Sequence, residues 1–139
     1  MKITTRGRYG LTVMMELARH EENQPLPLKE IAQRNQLSEH YLEQLIPPLR
    51  HASLIKSVRG AYGGYRLSRS PQEITVGEIL RALEGPLSPV DFETEEDPAK
   101  RRLWLRLRDS IAQVLNGTTL AEMIEEETEE EPDGYMFYI

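Results

Sequence analysis

The chain has 139 residues, enough for one core or for a small domain with an extension. It contains no cysteine, which excludes disulfides, thiolate catalysis, cysteine-ligated iron–sulfur clusters and thiol redox sensing. Charged residues make up 29%, and no stretch nears the ~20 consecutive apolar residues of a membrane span.

Met1 to Arg6 carry basic residues but no apolar run follows, so no signal peptide is expected and the chain is expected in the cytoplasm. The formal net charge of -6 is unevenly spread. Residues 1–85 hold 12 Lys and Arg against 9 Asp and Glu, whereas residues 86–139 hold 5 against 14. A basic first part beside an acidic second part points to a polyanionic partner for the first.

Thr4 or Thr5 can cap a first helix reaching about His20, with Leu11, Met14, Met15 and Ala18 at i, i+3, i+4 and i+7 as its apolar stripe. Glu21 to Pro25 break it. A short helix with Leu28, Ile31 and Ala32 facing inward ends near Asn35. Ser38 then stands at an N-cap position, and residues 39–46 form the next helix, with Leu42, Leu45, Ile46 and Leu49 as the buried face. Pro47 and Pro48 force a kink or restart before a last turn through Ala52. Two helices joined by a short connection, the second opening on a capping serine, read as a helix-turn-helix.

Residues 54–59 and 65–68 read as two strands around Gly63-Gly64, whose backbone freedom suits a hairpin turn. A helix-turn-helix followed by a glycine-rich hairpin is a winged helix. Thr75-x-x-Glu78 is a capping box opening a helix with Val76, Ile79, Leu80 and Leu83 on one face, stopped by Gly85-Pro86. Residues 86–97 are proline-rich and acidic and read as a linker or effector loop. Asp97-Pro98 starts a helix over residues 98–117, roughly 28 Å long at ~1.5 Å per residue. Its stripe of Leu103, Leu107, Ile111 and Val114, widened by Trp104, lies beyond a domain expected to close its own core within residues 1–85. A homodimer is the simplest partner for it. Thr119-x-x-Glu122 begins a short last helix, followed by six glutamates in seven positions and an apolar end with Tyr135, Phe137, Tyr138 and Ile139.

The chemistry these residue types suit is DNA recognition. The third helix offers Ser38, Glu39, His40, Tyr41, Glu43 and Gln44 near its start. Glutamine can pair with adenine and glutamate can accept from cytosine N4 in the major groove, while Ser38, His40 and Tyr41 can reach phosphates. The hairpin interleaves Arg59, Gly60, Tyr62, Gly64 and Tyr65, and a guanidinium such as that of Arg59 suits a narrow minor groove. Lys2, Arg6 and Tyr9 at the chain start and Arg50 add backbone contacts. Nothing reads as catalytic. His20, His40 and His51 lack metal-ligand spacing, and Gly60-x-x-Gly63-Gly64 lacks the lysine and helix of a phosphate loop, so no metal or cofactor is expected. A winged-helix protein-interaction module and a repressor sensing a small ligand through residues 86–97 remain open alternatives.

Lys2-Ile3-Thr4-Thr5-Arg6-Gly7-Arg8-Tyr9-Gly10, Leu28-Lys29-Glu30-Ile31-Ala32, Leu37 to Leu45, Val58 to Tyr65 and Leu83-Glu84-Gly85-Pro86 together resemble the Rrf-type winged helix-turn-helix repressors, in order and over nearly the whole chain. The resemblance implies a mainly α homodimer with an N-terminal winged helix-turn-helix domain and a long C-terminal dimerisation helix. Cluster-binding members carry three cysteines in the loop corresponding to residues 86–100, and this chain has none. That departure, with the apolar tail, points to the branch that represses cysteine and sulfur metabolism genes, for which the resemblance implies cysteine synthase as a protein partner. The tail residues Tyr135, Phe137, Tyr138 and Ile139, ending in a free carboxylate, are expected either to contact that enzyme or to pack on the dimer.

Overall fold

The structure is a computed structural model and describes residues 2–21 and 24–129. Seven α-helices and one hairpin follow in order: α1 Thr5–Arg19, α2 Leu28–Asn35, α3 Glu39–Glu43, α4 Ile46–His51, β1 Ile55–Val58, β2 Gly64–Leu67, α5 Val76–Glu84, α6 Pro98–Gly117 and α7 Leu120–Glu129. Single 3-10 turns occur at Pro71–Glu73 and Phe92–Thr94. The architecture is the mainly helical winged helix the sequence predicts. No helix among the described residues is long and apolar enough to cross a membrane.

Thr4 caps α1, its hydroxyl accepting from the Arg6 N–H. The buried line of α1 is Gly7, Gly10, Val13, Met14 and Leu17, not the predicted Leu11, Met14, Met15 and Ala18. Leu11, Met15 and Ala18 only border the core. The line is rotated because α1 packs closely on α5: a Cβ on Gly10 would lie 2.0 Å from Leu83 Cδ1. Glycines that admit a neighbouring helix carry no apolar side chain, so a hydrophobic pattern passes over them. Buried Glu16 meets Arg19 on its own helix and Arg34 of α2 at 3.2 Å, joining the two helices. Hydrogen bonding to Glu16 raises the Arg34 guanidinium above its ordinary pKa despite the cost of desolvation.

The helix-turn-helix is compact. α2 ends as Gln36 enters the left-handed region at φ 56°, Leu37 N–H closes on Ala32 O at 2.9 Å, and the Ser38 hydroxyl accepts from Tyr41 N–H. The predicted helix over residues 39–46 breaks earlier, at Gln44 and Leu45, whose N–H groups reach back only three residues, to Tyr41 O and Leu42 O. Pro47 and Pro48 explain the position: they have no N–H, and the first turn of a new helix is where that loss is harmless. The chain therefore restarts at Ile46 without leaving the helical basin.

β1 and β2 pair antiparallel, from Ile55 with Leu67 to Val58 with Gly64. A third segment joins them: Leu26 and Tyr65 exchange backbone hydrogen bonds of 2.9 and 3.0 Å. α5 carries the predicted capping box at Thr75 and Glu78, buries Val76, Ile79, Leu80 and Leu83, and stops at Gly85 with φ 80°.

The core does not close within residues 1–85. Leu120 of α7 is fully buried in the same cluster as Met14, Ile31, Leu45, Leu49, Ile55 and Ile79. Two backbone hydrogen bonds bring it there, Val76 N–H to Thr118 O at 2.9 Å and Leu120 N–H to Ile74 O at 2.8 Å. α6, by contrast, buries no residue, and Leu103, Leu107 and Val114 are 50%, 41% and 64% exposed. Residues 86–97 fold back beside it: Trp104 Nε1–H donates to Glu95 at 2.9 Å, and the Arg108 guanidinium stands 5.0 Å from the Phe92 ring centre. The tail residues Tyr135, Phe137, Tyr138 and Ile139 lie outside the described residues.

Candidate nucleic-acid interface

α3 is a single short helix with one side committed to the core. Leu42 and Leu45 are fully buried, which turns His40, Glu43, Gln44 and Pro47 outward to exposed positions. Glu39 is exposed as well. His40 and Glu43 share one side of the helix, with 4.0 Å between Nδ1 and Oε2. Carboxylate, amide and imidazole groups thus project together from a rigid element, the requirement for reading base edges.

Two predicted residues of this helix do structural work at the same time. The Ser38 hydroxyl is the N-cap. The Tyr41 ring is half-buried and meets the Tyr9 ring edge-on, with centroids 5.7 Å apart and planes at 89°. That contact lays the start of α1 beside α3. In α1, Arg6 Nε–H donates to Leu83 O at 2.8 Å, whereas Lys2 and Arg8 are exposed. Arg50 of α4 reaches β1 through Ser57 at 3.3 Å, and Lys56 is exposed beside it.

The hairpin tip comprises residues 59–63. Arg59, Gly60, Ala61 and Tyr62 are exposed, Tyr62 at 93%. A phenol held this far from any core is unusual for an aromatic side chain and leaves its ring free to meet a groove wall. The turn glycines differ from the predicted pair. Positive φ falls at Gly60 (111°) and Gly64 (152°), while Gly63 is small for another reason: a Cβ there would lie 2.2 Å from Val58 O. Gly64 and Tyr65, predicted as DNA contacts, open β2 directly after the tip, where the chain runs against Leu26. A Cβ on Gly64 would come within 2.5 Å of the Leu26 carbonyl, and the Tyr65 ring packs partly against the core.

The geometry therefore sorts the predicted residues. Lys2, Ser38, Glu39, His40, Glu43, Gln44, Arg50, Arg59, Gly60 and Tyr62 are exposed. Arg6, Tyr9, Ser38, Tyr41, Gly64 and Tyr65 hold the elements that carry them. Sequence reasoning missed Glu84, whose carboxylate accepts from Thr4 at the start of α1. No local pattern reveals a contact between residues so far apart in the chain.

This fold and this surface define a winged helix-turn-helix DNA-binding protein of the transcription-regulator class. The family model for Rrf2, described as an iron-dependent transcriptional regulator, matches residues 3–126. The chain belongs to the Rrf2 family. It is 58% identical over 139 residues, the whole of both chains, to the HTH-type transcriptional regulator CymR of Bacillus subtilis. It is 37% identical over 140 residues to IscR of Aliivibrio salmonicida, spanning 96% of this chain and 83% of that one. The solved structure of B. subtilis CymR superimposes with a TM-score of 0.85 at 57% identity, over 91% of this chain and 98% of that one. Staphylococcus aureus CymR gives 0.75 at 51% identity, over 88% and 97%. These relatives are named as regulators, not enzymes.

The iron of the family description does not fit the residues present. Residues 86–97 contain no cysteine or histidine. Two of their carboxylates are already engaged, Asp91 by the Glu93 N–H and Glu95 by Trp104. Among the described residues no three His, Cys, Asp or Glu side chains gather as metal ligands.

Proposed function

We propose that this chain is a cytoplasmic, homodimeric repressor that binds double-stranded DNA and controls cysteine and sulfur metabolism genes. One observation carries the DNA-binding reading: the outward polar face of α3 lies beside the start of α1, joined through Tyr9 and Tyr41, and the hairpin presents an exposed Arg59–Tyr62 tip. Gln44 and Glu43 read base edges in the major groove, with adenine and cytosine as their natural partners. Lys2, His40 and Arg50 contact phosphates, and Arg59 enters the flanking minor groove. Arg6, Tyr9, Ser38, Tyr41, Gly64 and Tyr65 contribute by seating those groups, and Glu39, Gly60 and Tyr62 complete the contact surface. The assignment to cysteine metabolism is supported by the 58% identity to CymR, whose structure is described as that of the global cysteine regulator of B. subtilis.

The stripe of exposed Leu103, Leu107 and Val114 with half-buried Trp104 and Ile111 on α6 supports dimerisation, because a helix with no fully buried residue needs a second surface to cover its apolar side. A twofold dimer presents its α3 helices to major grooves about 34 Å apart, so the operator is a pseudo-palindrome. Without a thiolate anywhere in the chain, regulation does not pass through a cysteine-ligated cluster. Cysteine synthase serves instead as co-repressor, recognised through Tyr135, Phe137, Tyr138 and Ile139. This rests on the sequence of the tail and on the family resemblance.

Selection of binding sites from random duplex DNA, with and without cysteine synthase, tests the proposal. A palindromic, salt-sensitive consensus with the protein alone supports a dimeric repressor. A consensus obtained only with the enzyme adds the co-repressor mechanism. No enrichment in either arm refutes DNA recognition and favours a protein-interaction module.

A further inference from the structure

We propose that Glu84 is a positioning residue for DNA binding: from the end of α5, its carboxylate fixes the N-terminal arm that carries Lys2 beside the recognition helix. The inference rests on the DNA-binding reading above. Residues 2–4 precede α1 with no helix or strand of their own, and Thr4 is extended. Glu84 supplies the anchor. The Thr4 N–H donates to Glu84 Oε2 at 2.5 Å, and the Thr4 hydroxyl donates to Oε1 at 2.8 Å, with Oε2 at 3.0 Å. The same hydroxyl accepts from the Arg6 N–H at 3.2 Å, so its one proton and one of its lone pairs are both used. One residue earlier on α5, Leu83 O accepts from Arg6 Nε–H at 2.8 Å.

Two further features show the seat is built around this carboxylate. A Cβ on Gly7 would lie 2.7 Å from Glu84 Oε2, so any larger residue in the first turn of α1 would push the carboxylate from this position. The carboxylate also stands at the N-terminal end of α1, where the helix dipole favours negative charge. On its other side α1 meets the recognition helix through Tyr9 and Tyr41. α5 therefore holds the start of α1 from behind while α3 holds it from the front. An extended arm left free would have to be ordered at the moment of binding, with an entropic cost for every residue fixed. An arm fixed beforehand avoids that cost.

The test measures dissociation constants of the full-length protein on its selected operator across a salt series. Lys2→Ala is expected to lower the slope of log K against log salt by about one, the signature of one lost phosphate contact. Glu84→Ala is expected to lower it by the same amount, and Lys2→Ala added to Glu84→Ala to change nothing further. Glu84→Gln keeps an acceptor oxygen and is expected to bind within about twofold of the unaltered protein. Gly7→Ala, which displaces the carboxylate without removing it, is expected to reproduce the Glu84→Ala slope and guards against loss of folding in the latter. If the Lys2 and Glu84 effects multiply, or if Glu84→Ala lowers the melting temperature but leaves the slope unchanged, Glu84 is only structural and the proposal falls. If the unaltered protein shows no salt-dependent duplex binding, the DNA-binding reading itself fails and takes this one with it.

Discussion

Gln44 and Arg59 are both exposed polar residues, yet they should fail differently when removed. Gln44→Ala deletes a base-edge contact, so binding to the operator should weaken by about 1–3 kcal/mol while binding to random duplex stays nearly constant. Arg59→Ala removes a cation from the wing tip, so both affinities should fall together and the salt dependence should flatten. Competition titrations with operator and scrambled duplex separate the two, and equal losses for Gln44→Ala would contradict its role. Gly64 belongs to a different class. With φ at 152° and the Leu26 carbonyl where a Cβ would go, Gly64→Ala forces the hairpin away from its third segment. A loss of about 1–3 kcal/mol in denaturant unfolding is expected, as for other overpacked sites. At this scale the residue types were legible, and Ser38, Thr75 and Gly85 act as their chemistry suggests. The division of Tyr62 from Tyr65 was not, because both are tyrosines on a hairpin and only the contact with Leu26 decides which one packs.

The elements that local rules specify completely are those that ended where expected. α5 is the clearest: a capping box at one end, a glycine at the other, and one apolar face between. Partial burial pushes the Glu78 carboxyl up, but the Thr75 N–H and hydroxyl and the Arg69 guanidinium outweigh it and hold it below the usual carboxylate range. A carboxyl with a depressed folded-state pKa contributes stability that is complete above its unfolded value, near 4.5, and is lost as pH falls through the folded value. Glu78→Gln should therefore shallow the fall of stability with acid below about pH 4.5, measured by urea unfolding at stepped pH. α1 and α3 were less legible. The α1 face turned because Gly7 and Gly10 mark a close helix contact rather than a gap in a pattern. The α3 break moved because two consecutive prolines had to enter a new first turn, which places the interruption ahead of them.

At the scale of the whole molecule two helices of the C-terminal part behave in opposite ways. α7 returns to the winged-helix core, where Leu120 is fully buried. Leu120→Ala should destabilise that core by about 2–5 kcal/mol, as for other large-to-small changes at buried sites, with the loss read by thermal or denaturant unfolding of the full chain. A change within about 0.5 kcal/mol would mean that residues 1–85 stand alone. α6 leaves Leu103, Leu107 and Val114 exposed, so Leu107→Glu should leave helical content intact and convert the proposed dimer to monomer in sedimentation velocity, with operator affinity lost in parallel. A variant that stays dimeric would place the interface elsewhere.

The sequence by itself determined the winged-helix class, the caps of α3 and α5, the stop of α5, the outward groups of the recognition helix and the apolar stripe of α6. These depend on interactions within about one helical turn or one hairpin, and such interactions are written in neighbouring residues. Only the tertiary structure decided that Leu120 completes the core, that Gly10 admits Leu83, that Leu26 steadies the wing and that Glu84 reaches Thr4. Each of those joins residues far apart in the chain. Which of many apolar or acidic residues meets which distant partner is set by the packing of whole elements, not by the spacing of any one of them.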